Sequence, residues 1–400
     1  MKQYDVVIAG GAMAGATLAL ALDRLCRHKL NGRKLSIAVV EAVAPELDSH
    51  PGYDARSIAL ALGSCRQLDE IGIWQALEPY ATAIEHVHVS DRGHCGMTPI
   101  AASEYGVPYL GNVVELADCG RVFHDAMSAV ENIALFCPDS VTGVARTEEK
   151  VTVNLASGET LEAGLLVAAD GAVSDSCDAI GIGRDEHDFG QVAVIANVST
   201  SQSHQGRAFE RFTEHGPVAL LPMSQGRCSL VWCMPPDEAE NVLAMDENAF
   251  ANRLQQAFGW RLGEVTQVGE RFSYPLILRR ATRTTSHRFA VVGNAAQTLH
   301  PIAGQGFNLG LRDVLSLSEE IVAGLARGES AGDFGQLSQY RQRREQDREE
   351  TVMLTAGLVY GFSSTSILFA LGRNLGLMAM AGSQTLKTPL VQRTMGLVTR

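Results

Sequence analysis

Four hundred residues with 46% apolar and 20% charged side chains make an ordered globular chain, and one longer than a single hydrophobic core ordinarily organises. A formal charge of -12 argues against a nucleic-acid surface, because such binding needs many cationic contacts to phosphate. The eight cysteines are scattered with no C-x-x-C pair, which reads as buried thiols in a reducing, cytoplasmic setting and gives no metal ligand set.

The N-terminus shows no leader pattern and enters a β-rich run, Tyr4 to Ala9. Gly10-Gly11-Ala12-Met13-Ala14-Gly15 follows, then an Ala/Leu-rich segment of helical character to about Cys26. A second apolar run, Leu35 to Val40, ends at Glu41, so the opening reads as a βαβ unit with a parallel strand pair. Orphan N–H groups at such a helix start receive a pyrophosphate, and an acid at the end of the second strand accepts hydrogen bonds from a ribose. Ala12 replaces the second glycine of G-x-G-x-x-G. Glu41 falls 41 − 10 = 31 positions after Gly10 instead of about 20, with the polar stretch His28 to Lys34 absorbing the extra length. Pro45 to Gly52 reads as loop.

Val151 to Leu155 and Thr160 to Leu166 flank a hairpin turn, and Leu165 to Ala169 is an apolar strand that stops at Asp170-Gly171, alone an ordinary turn. From Cys177 to Thr285 short runs such as Val192 to Val198, Pro217 to Pro222 and Cys228 to Cys233 predict a sheet-based second domain. Phe289 to Gly293 returns to a buried strand, followed by Asn294 in a polar turn and by His300-Pro301-Ile302-Ala303-Gly304-Gln305-Gly306-Phe307-Asn308, which opens a helix from Gly306 to about Ala326. Free N–H groups near Gly306 to Asn308 would stabilise negative charge on a bound group. Arg341 to Glu350 is a mixed-charge run expected on the solvated face of a helix. Thr351 to Gly372 carries no charge and predicts two short helices, broken at Ser363-Ser364-Thr365-Ser366. From Thr351 onward Arg373, Lys387, Arg393 and Arg400 give +4, which leaves −12 − 4 = −16 on the rest, so 351–400 is a candidate for peripheral membrane contact.

Together these segments resemble the class A flavoprotein monooxygenases, the para-hydroxybenzoate hydroxylase superfamily, over nearly the whole length. The likeness is greatest to its ubiquinone-biosynthesis hydroxylases, carried by HPGYDARSIALA, HVSDRG, GRAFERFTEHGP, GRCSLVWC and VVGNAAQTLHPIAGQGFNLGLRD. The resemblance implies an α/β fold in which a discontinuous Rossmann-like FAD-binding domain (1–74, 116–176, 286–345) alternates with a β-sheet substrate domain (75–115, 177–285) and ends in C-terminal helices (346–400). It implies FAD held by Gly10, Gly11, Ala12, Met13, Ala14, Gly15, Glu41, Arg56, Arg121, Asp170, Gly171, Asn294, Pro301, Gly304, Gln305, Gly306, Phe307 and Asn308, the helix start facing N1 and O2 of a reduced flavin. It further implies a polyprenyl phenol substrate, O2, NAD(P)H or another electron donor, and other ubiquinone-biosynthesis proteins as partners. The implied reaction takes 2-polyprenyl-6-methoxyphenol to the 1,4-benzoquinol through a flavin C4a-hydroperoxide; another ring position, another lipophilic phenol, or a non-catalytic FAD-bound scaffold are the alternatives.

Two departures stand out. Asn294 occupies the place of an Asp that would bind the ribityl chain, and the arginine usual shortly after Asp-Gly-x-x-Ser is absent, with Cys177 nearby. No second strand-Gly-rich-helix unit is present, so NAD(P)H is expected to visit the flavin site transiently. His300 is equally open to an acid/base role and to a structural hydrogen bond, and no catalytic residue is assigned. Arg211 is expected as a solvated strand arginine, with approach to the substrate or flavin as the second reading, and Phe209, Phe212, Met223 and Trp232 as core side chains with a prenyl channel as the second reading.

Overall fold

The computed structural model of the chain describes residues 1–44, 56–363 and 367–398, so the loop expected at Pro45 to Gly52 and most of the break at 364–366 lie outside the described residues. Lys2–Ala9 is a strand whose Val6, Val7, Ile8 and Ala9 are buried on both faces, the habit of a central parallel strand. It pairs in parallel with Ile37–Val40 on one side (Val6 opposite Ile37) and with Thr160–Ala168 on the other (Val6 opposite Leu165). Ile133–Phe136 and Phe289–Val291 continue the parallel order outward. Four adjacent strands therefore run out at one end of the sheet, and each runs into one of the motifs: Glu41, Gly10, Asp170 and Gly293.

Thr160–Ala168 serves two purposes. Its first half closes the expected hairpin with Val151–Leu155, turned at Gly158 with φ +87°, and its second half is the buried partner of Lys2–Ala9. The helices Met13–Lys29 and Gln305–Ala326 pack on one face of this sheet through a shared apolar cluster that includes Leu18, Leu22, Leu311 and Leu315.

A second sheet is ordered 297–298, 272–281, 184–200, 227–234, 216–222, 207–213, 86–91, 97–101, antiparallel except where Arg207–Thr213 meets His86–Asp91. One face is covered by the helices Pro236–Leu243 and Glu247–Phe258, which bury Val194, Leu220, Leu230 and Trp232. Its other face looks toward the motif-bearing end of the first sheet. Ser57–Ala61, Gly111–Glu115 and Thr82–Ile84 form a small sheet between the two.

The C-terminal region is helical, as Phe334–Ser363, Ile367–Gly382 and Gln384–Thr394, but two expectations need correcting. The uncharged stretch from Thr351 does not begin a short helix of its own; it continues a 30-residue helix. The charge run 341–350 on that helix is a solvated face only in part: Arg341, Gln342, Glu345, Gln346, Glu349 and Glu350 are exposed, whereas Arg344, Asp347 and Arg348 face inward. Tyr340, Arg344, Asp347, Arg348, Thr351 and Thr355 form a buried stripe, because Arg312 and Asp313 on the almost wholly buried Gln305–Ala326 helix need partners of opposite charge. Among the described residues no helix is long and apolar enough to cross a membrane.

Candidate active site

The turn after Lys2–Ala9 can be made only by glycine at two places. Gly10 has φ +96°, and a Cβ there would stand 2.4 Å from the Ala169 carbonyl oxygen; a Cβ on Gly15 would stand 1.8 Å from the oxygen of Gly10. Ala12 sits at the N-cap of the Met13–Lys29 helix, exposed, so the methyl that breaks the glycine pattern is accommodated. Glu41 reaches back to this turn: one carboxylate oxygen accepts from the Gly11 N–H at 2.6 Å and the other from Val43 at 3.0 Å. Its long spacing from Gly10 is taken up by a 17-residue helix and the connection that follows.

Asp170 is fixed by the turn it begins. Its carboxylate accepts from the Ser174 hydroxyl and, at 3.0 Å, from the Ser176 N–H, while Gly171 takes φ +93°. Buried Cys177 donates its backbone N–H to the Ser174 hydroxyl in the place where an arginine was looked for. Gly293 has φ +62° and lies so close to the first helix that a Cβ would meet that of Ala14 at 2.8 Å. Asn294, next to it, is exposed.

These turns border one cavity of about 910 Å³. Gly10, Ala12, Met13, Ala14, Glu41, Asp170, Gly171 and Asn294 line one end; Pro301, Gly304, Gly306, Phe307 and Asn308 line its middle. Gly11 and Gly15 stand behind the lining as the turn's framework. Within the glycine-rich run the side chains divide the work. The Asn308 amide is consumed structurally, donating to Ala59 O at 2.9 Å and to Gly304 O, and accepting from Ala61 N at 2.8 Å and Ser64 at 2.6 Å. Gln305 is outside the lining and donates to the carbonyl of Thr394, which borders the cavity, at 3.2 Å. What this run offers the cavity is therefore backbone at a helix start. Arg56 is exposed at the head of the strand whose Ser57 lines the cavity. Arg121 is outside the lining, paired with Asp118 at 2.8 Å and stacked on Tyr80.

The far end is the open face of the second sheet, closed over by the C-terminal helices through Leu358, Phe362, Leu377 and Met380. Phe212 lines it, stacked on Phe362 with ring centroids 3.6 Å apart; Phe209 borders it too, but its ring belongs to the helix-covered core, edge-on to Phe258. Trp232 and Met223 are core side chains. Arg211 belongs to the opposite face of its strand, half-buried, and is not the solvated arginine expected. His300 is buried, bonded to Gln191 at 3.2 Å and set edge-on to Phe189; burial lowers its pKa to about 4, which favours the neutral ring near pH 7. The sequence reading missed Glu210. It is the one carboxyl on the sheet wall of the cavity among the described residues, and burial raises it to about 7; what exposure it has is to the cavity. A signal was present: alternation in Ala208-Phe209-Glu210-Arg211-Phe212 puts an acid on the same face as Ala208 and Phe212.

A cradle that admits no Cβ at Gly10 or Gly15, a helix start beside it, an acid at the neighbouring strand end and a long cavity with an apolar far end fit a dinucleotide carrying a flat ring. The family model described as the FAD binding domain matches residues 3–355. The chain belongs to this FAD-binding family of flavin monooxygenases. It is similar to the ubiquinone hydroxylase UbiL of Rhodospirillum rubrum, 36% identical over 395 residues that cover 99% of this chain and 90% of that protein. It is also similar to the 3-demethoxyubiquinol 3-hydroxylase of Escherichia coli, 30% identical across 98% of each chain. In fold it is similar to p-nitrophenol 4-monooxygenase PnpA from Pseudomonas putida, with a TM-score of 0.81 over 100% of both chains at 19% identity, a likeness of architecture alone. FAD is thus the cofactor of an aromatic hydroxylase, and the expected α/β class holds, with a Rossmann-like sheet, a second sheet and C-terminal helices.

Proposed function

We propose that the chain hydroxylates the ring of a polyprenylated phenol in ubiquinone biosynthesis, with 2-polyprenyl-6-methoxyphenol as substrate and the 1,4-benzoquinol as product. The observation that carries this reading is one continuous cavity, which runs from four strand ends suited to a dinucleotide to an apolar wall of sheet and helices. The names of the UbiL and Escherichia coli relatives support the substrate class. In this reading the Gly10–Gly15 turn and the helix behind it receive the pyrophosphate, Glu41 and the exposed Arg56 serve the adenosine end, Asp170 and Asn294 serve the ribityl side, and the 301–308 run faces the ring. Bound FAD supplies the hydride acceptance and oxygen activation that side chains lack. The chain's own share is to seat the phenol against the sheet wall and to keep water out, and Phe212, Phe362, Leu377 and Met380 do that. NAD(P)H is the reductant in this proposal. Product analysis with short-chain prenylphenols and the purified flavoprotein tests it: oxygen is expected on the carbon para to the phenolic oxygen, and a product oxygenated elsewhere would move the assignment to another ring position.

The same reading includes contact with a lipid surface, now on different grounds. Among the described residues the cations of the tail are engaged within the protein: Arg373 with Asp91, Lys387 with Glu104, and Arg393 with Glu350 and Asp347. The apolar side is what supports docking. Leu371, Leu375 and Met378 form an exposed stripe at helical spacing on Ile367–Gly382, while Leu377 and Met380 of the same helix line the cavity. A prenyl chain would thus pass from lipid to cavity beside one helix. The expected result is that the full chain floats with neutral and anionic vesicles alike and that Leu371→Glu with Leu375→Glu abolishes flotation; equal recovery of variant and parent would remove the docking role. Truncation at Glu350 is a poorer test, since it would also open the cavity.

A further inference from the structure

We propose that Glu210 is a catalytic residue that accepts the phenolic proton of the substrate, a role that rests on the hydroxylase reading above. The placement comes from strand register. Within Arg207–Thr213, Glu210 lies opposite Val89 on one neighbouring strand and Ala219 on the other, and Ala219 lies opposite Val231. Residues directly opposite share a face, so this row is one wall of the cavity, and all four residues line it. Among Val89, Ala219 and Val231 the carboxyl is the one polar group.

Its lack of partners sets it apart. Other buried carboxylates are held: Asp313 by Arg344 and Arg348, Asp347 by Arg312 and Arg344, Glu115 by Arg227 at 2.7 Å, Asp91 by Arg373. For Glu210 no hydrogen bond or ion pair is present among the described residues, and its pKa is raised to about 7 by burial alone. A half-buried carboxyl set in an apolar wall without partners loses hydration and gains no contact in return. It is intelligible as a group kept for a ligand.

The chemistry matches a phenol. The phenolic O–H bond breaks, its electron pair stays on oxygen and spreads into the ring, and the proton passes to a Glu210 carboxylate oxygen. Negative charge moves from carboxylate to phenolate, so the net charge in the cavity does not change, and an apolar wall tolerates the transfer. The proton then leaves Glu210 for the second oxygen atom of O2, which is released as water, and the carboxylate is restored. A carboxyl near 7 stands within about a thousandfold of a phenol near 10, where an ordinary glutamate would stand about a millionfold away. The resulting phenolate character makes the ring a better nucleophile toward an electrophilic oxygen.

The titratable groups around it are few. Cys233 on the Arg227–Met234 strand senses the Glu210 charge and is pushed further up, mainly by burial. Asp91 on His86–Asp91 is tied to Arg373 of the Ile367–Gly382 helix, and Lys387 of Gln384–Thr394 to Glu104 and Pro99 O. His300 behind the cavity is neutral near pH 7. Glu41, Asp139, Asp170 and Asp175 line the dinucleotide end.

The test compares the FAD-loaded parent with Glu210→Gln from about pH 5 to about pH 9. The substitution removes a desolvated charge at constant size, so folding and flavin content are expected to hold. Product formation in the parent is expected to rise through about pH 7, and in Glu210→Gln to fall by about 10²-fold to 10⁴-fold and lose that inflection. A ring-fluorinated prenylphenol with a more acidic hydroxyl is expected to recover part of the loss. Infrared spectra of the parent without substrate are expected to show a protonated-carboxyl band titrating near pH 7 that Glu210→Gln lacks. Product formation within about threefold of the parent at every pH, an equal loss with fluorinated and ordinary phenols, or a missing carboxyl band would each overturn the proposal. If the parent itself forms no hydroxylated product, the hydroxylase reading fails; the infrared band and the ¹⁹F shift of bound fluorophenol then still decide whether Glu210 ionises near pH 7 and takes a phenol's proton.

Discussion

Replacing Asp313 by alanine is expected to destabilise the fold by about 3–5 kcal/mol, the cost of leaving buried cations without their counter-charge. Asp313 is fully buried and accepts from Arg344 at 2.8 Å, Arg348 at 3.1 Å and Gln297 at 2.8 Å; Asp347 beside it accepts from Arg312 at 2.8 Å. Two carboxylates thus serve three buried guanidinium groups, and losing Asp313 leaves Arg348 without a carboxylate and Arg344 sharing Asp347 with Arg312. Asp313→Asn, which keeps the shape and one acceptor, is expected to cost less. Burial alone would raise the Asp313 carboxyl, but Arg348 and Arg344 hold it below the usual range; Asp347 is likewise held down against burial by Arg312 and Arg344. A depressed carboxyl contributes stability that is fully present above its unfolded value, near pH 4, and is lost as pH falls through the folded value. Urea unfolding followed by circular dichroism should therefore show a steep acid limb below about pH 4 in the parent and a shallower one in Asp313→Ala. An unchanged unfolding midpoint would show that the network carries no stability. The consequence reaches the site, because these pairs bind the helix that begins at the cavity to the helix that supplies Leu358 and Phe362 to its wall.

Gly15→Ala is expected to yield protein without flavin. The added methyl would stand 1.8 Å from the Gly10 carbonyl oxygen, a backbone atom that is itself fixed in a left-handed turn with Ala169 pressed against it. The turn and the first helix must separate, which breaks the proposed pyrophosphate cradle and costs about 3 kcal/mol through overpacking. Flavin absorbance relative to protein in the purified chain, with Ala12→Gly as a variant expected to keep its flavin, reads this directly. Full flavin content in Gly15→Ala would mean that the turn does not hold the dinucleotide.

Much of the first sheet was legible because its signals are local. Strand, glycine turn and helix follow one another in 2–29, and the hairpin around Gly158 announces itself by alternation and turn chemistry. Even the long gap to Glu41 could be placed, since only a polar connection separates helix from strand. The misreadings arose where a residue's meaning depends on a partner far along the chain. Arg344 lies 31 residues from Asp313, and Arg312 lies 35 from Asp347, so one side of a run that is otherwise solvated became a buried network once two helices met. Charges in the otherwise apolar 305–326 helix were the available warning. Asn308 and Gln305 sit in the most distinctive run of the chain, yet their side chains stitch it to Ala59, Ala61, Ser64 and Thr394, contacts that only tertiary packing creates. Glu210 was overlooked for the opposite reason. Its strand pattern was readable, but which face of that strand would meet the cavity depended on how the two sheets pack.

The central claim is that this cavity places an oxygen atom from O2 on an aromatic ring. Incubation of the FAD-loaded protein with NAD(P)H, a short-chain prenylphenol and isotopically labelled O2 tests it most directly. One labelled oxygen on the ring of the product is the predicted result; NAD(P)H consumed, the phenol returned unchanged and the label found only in peroxide or water would contradict it.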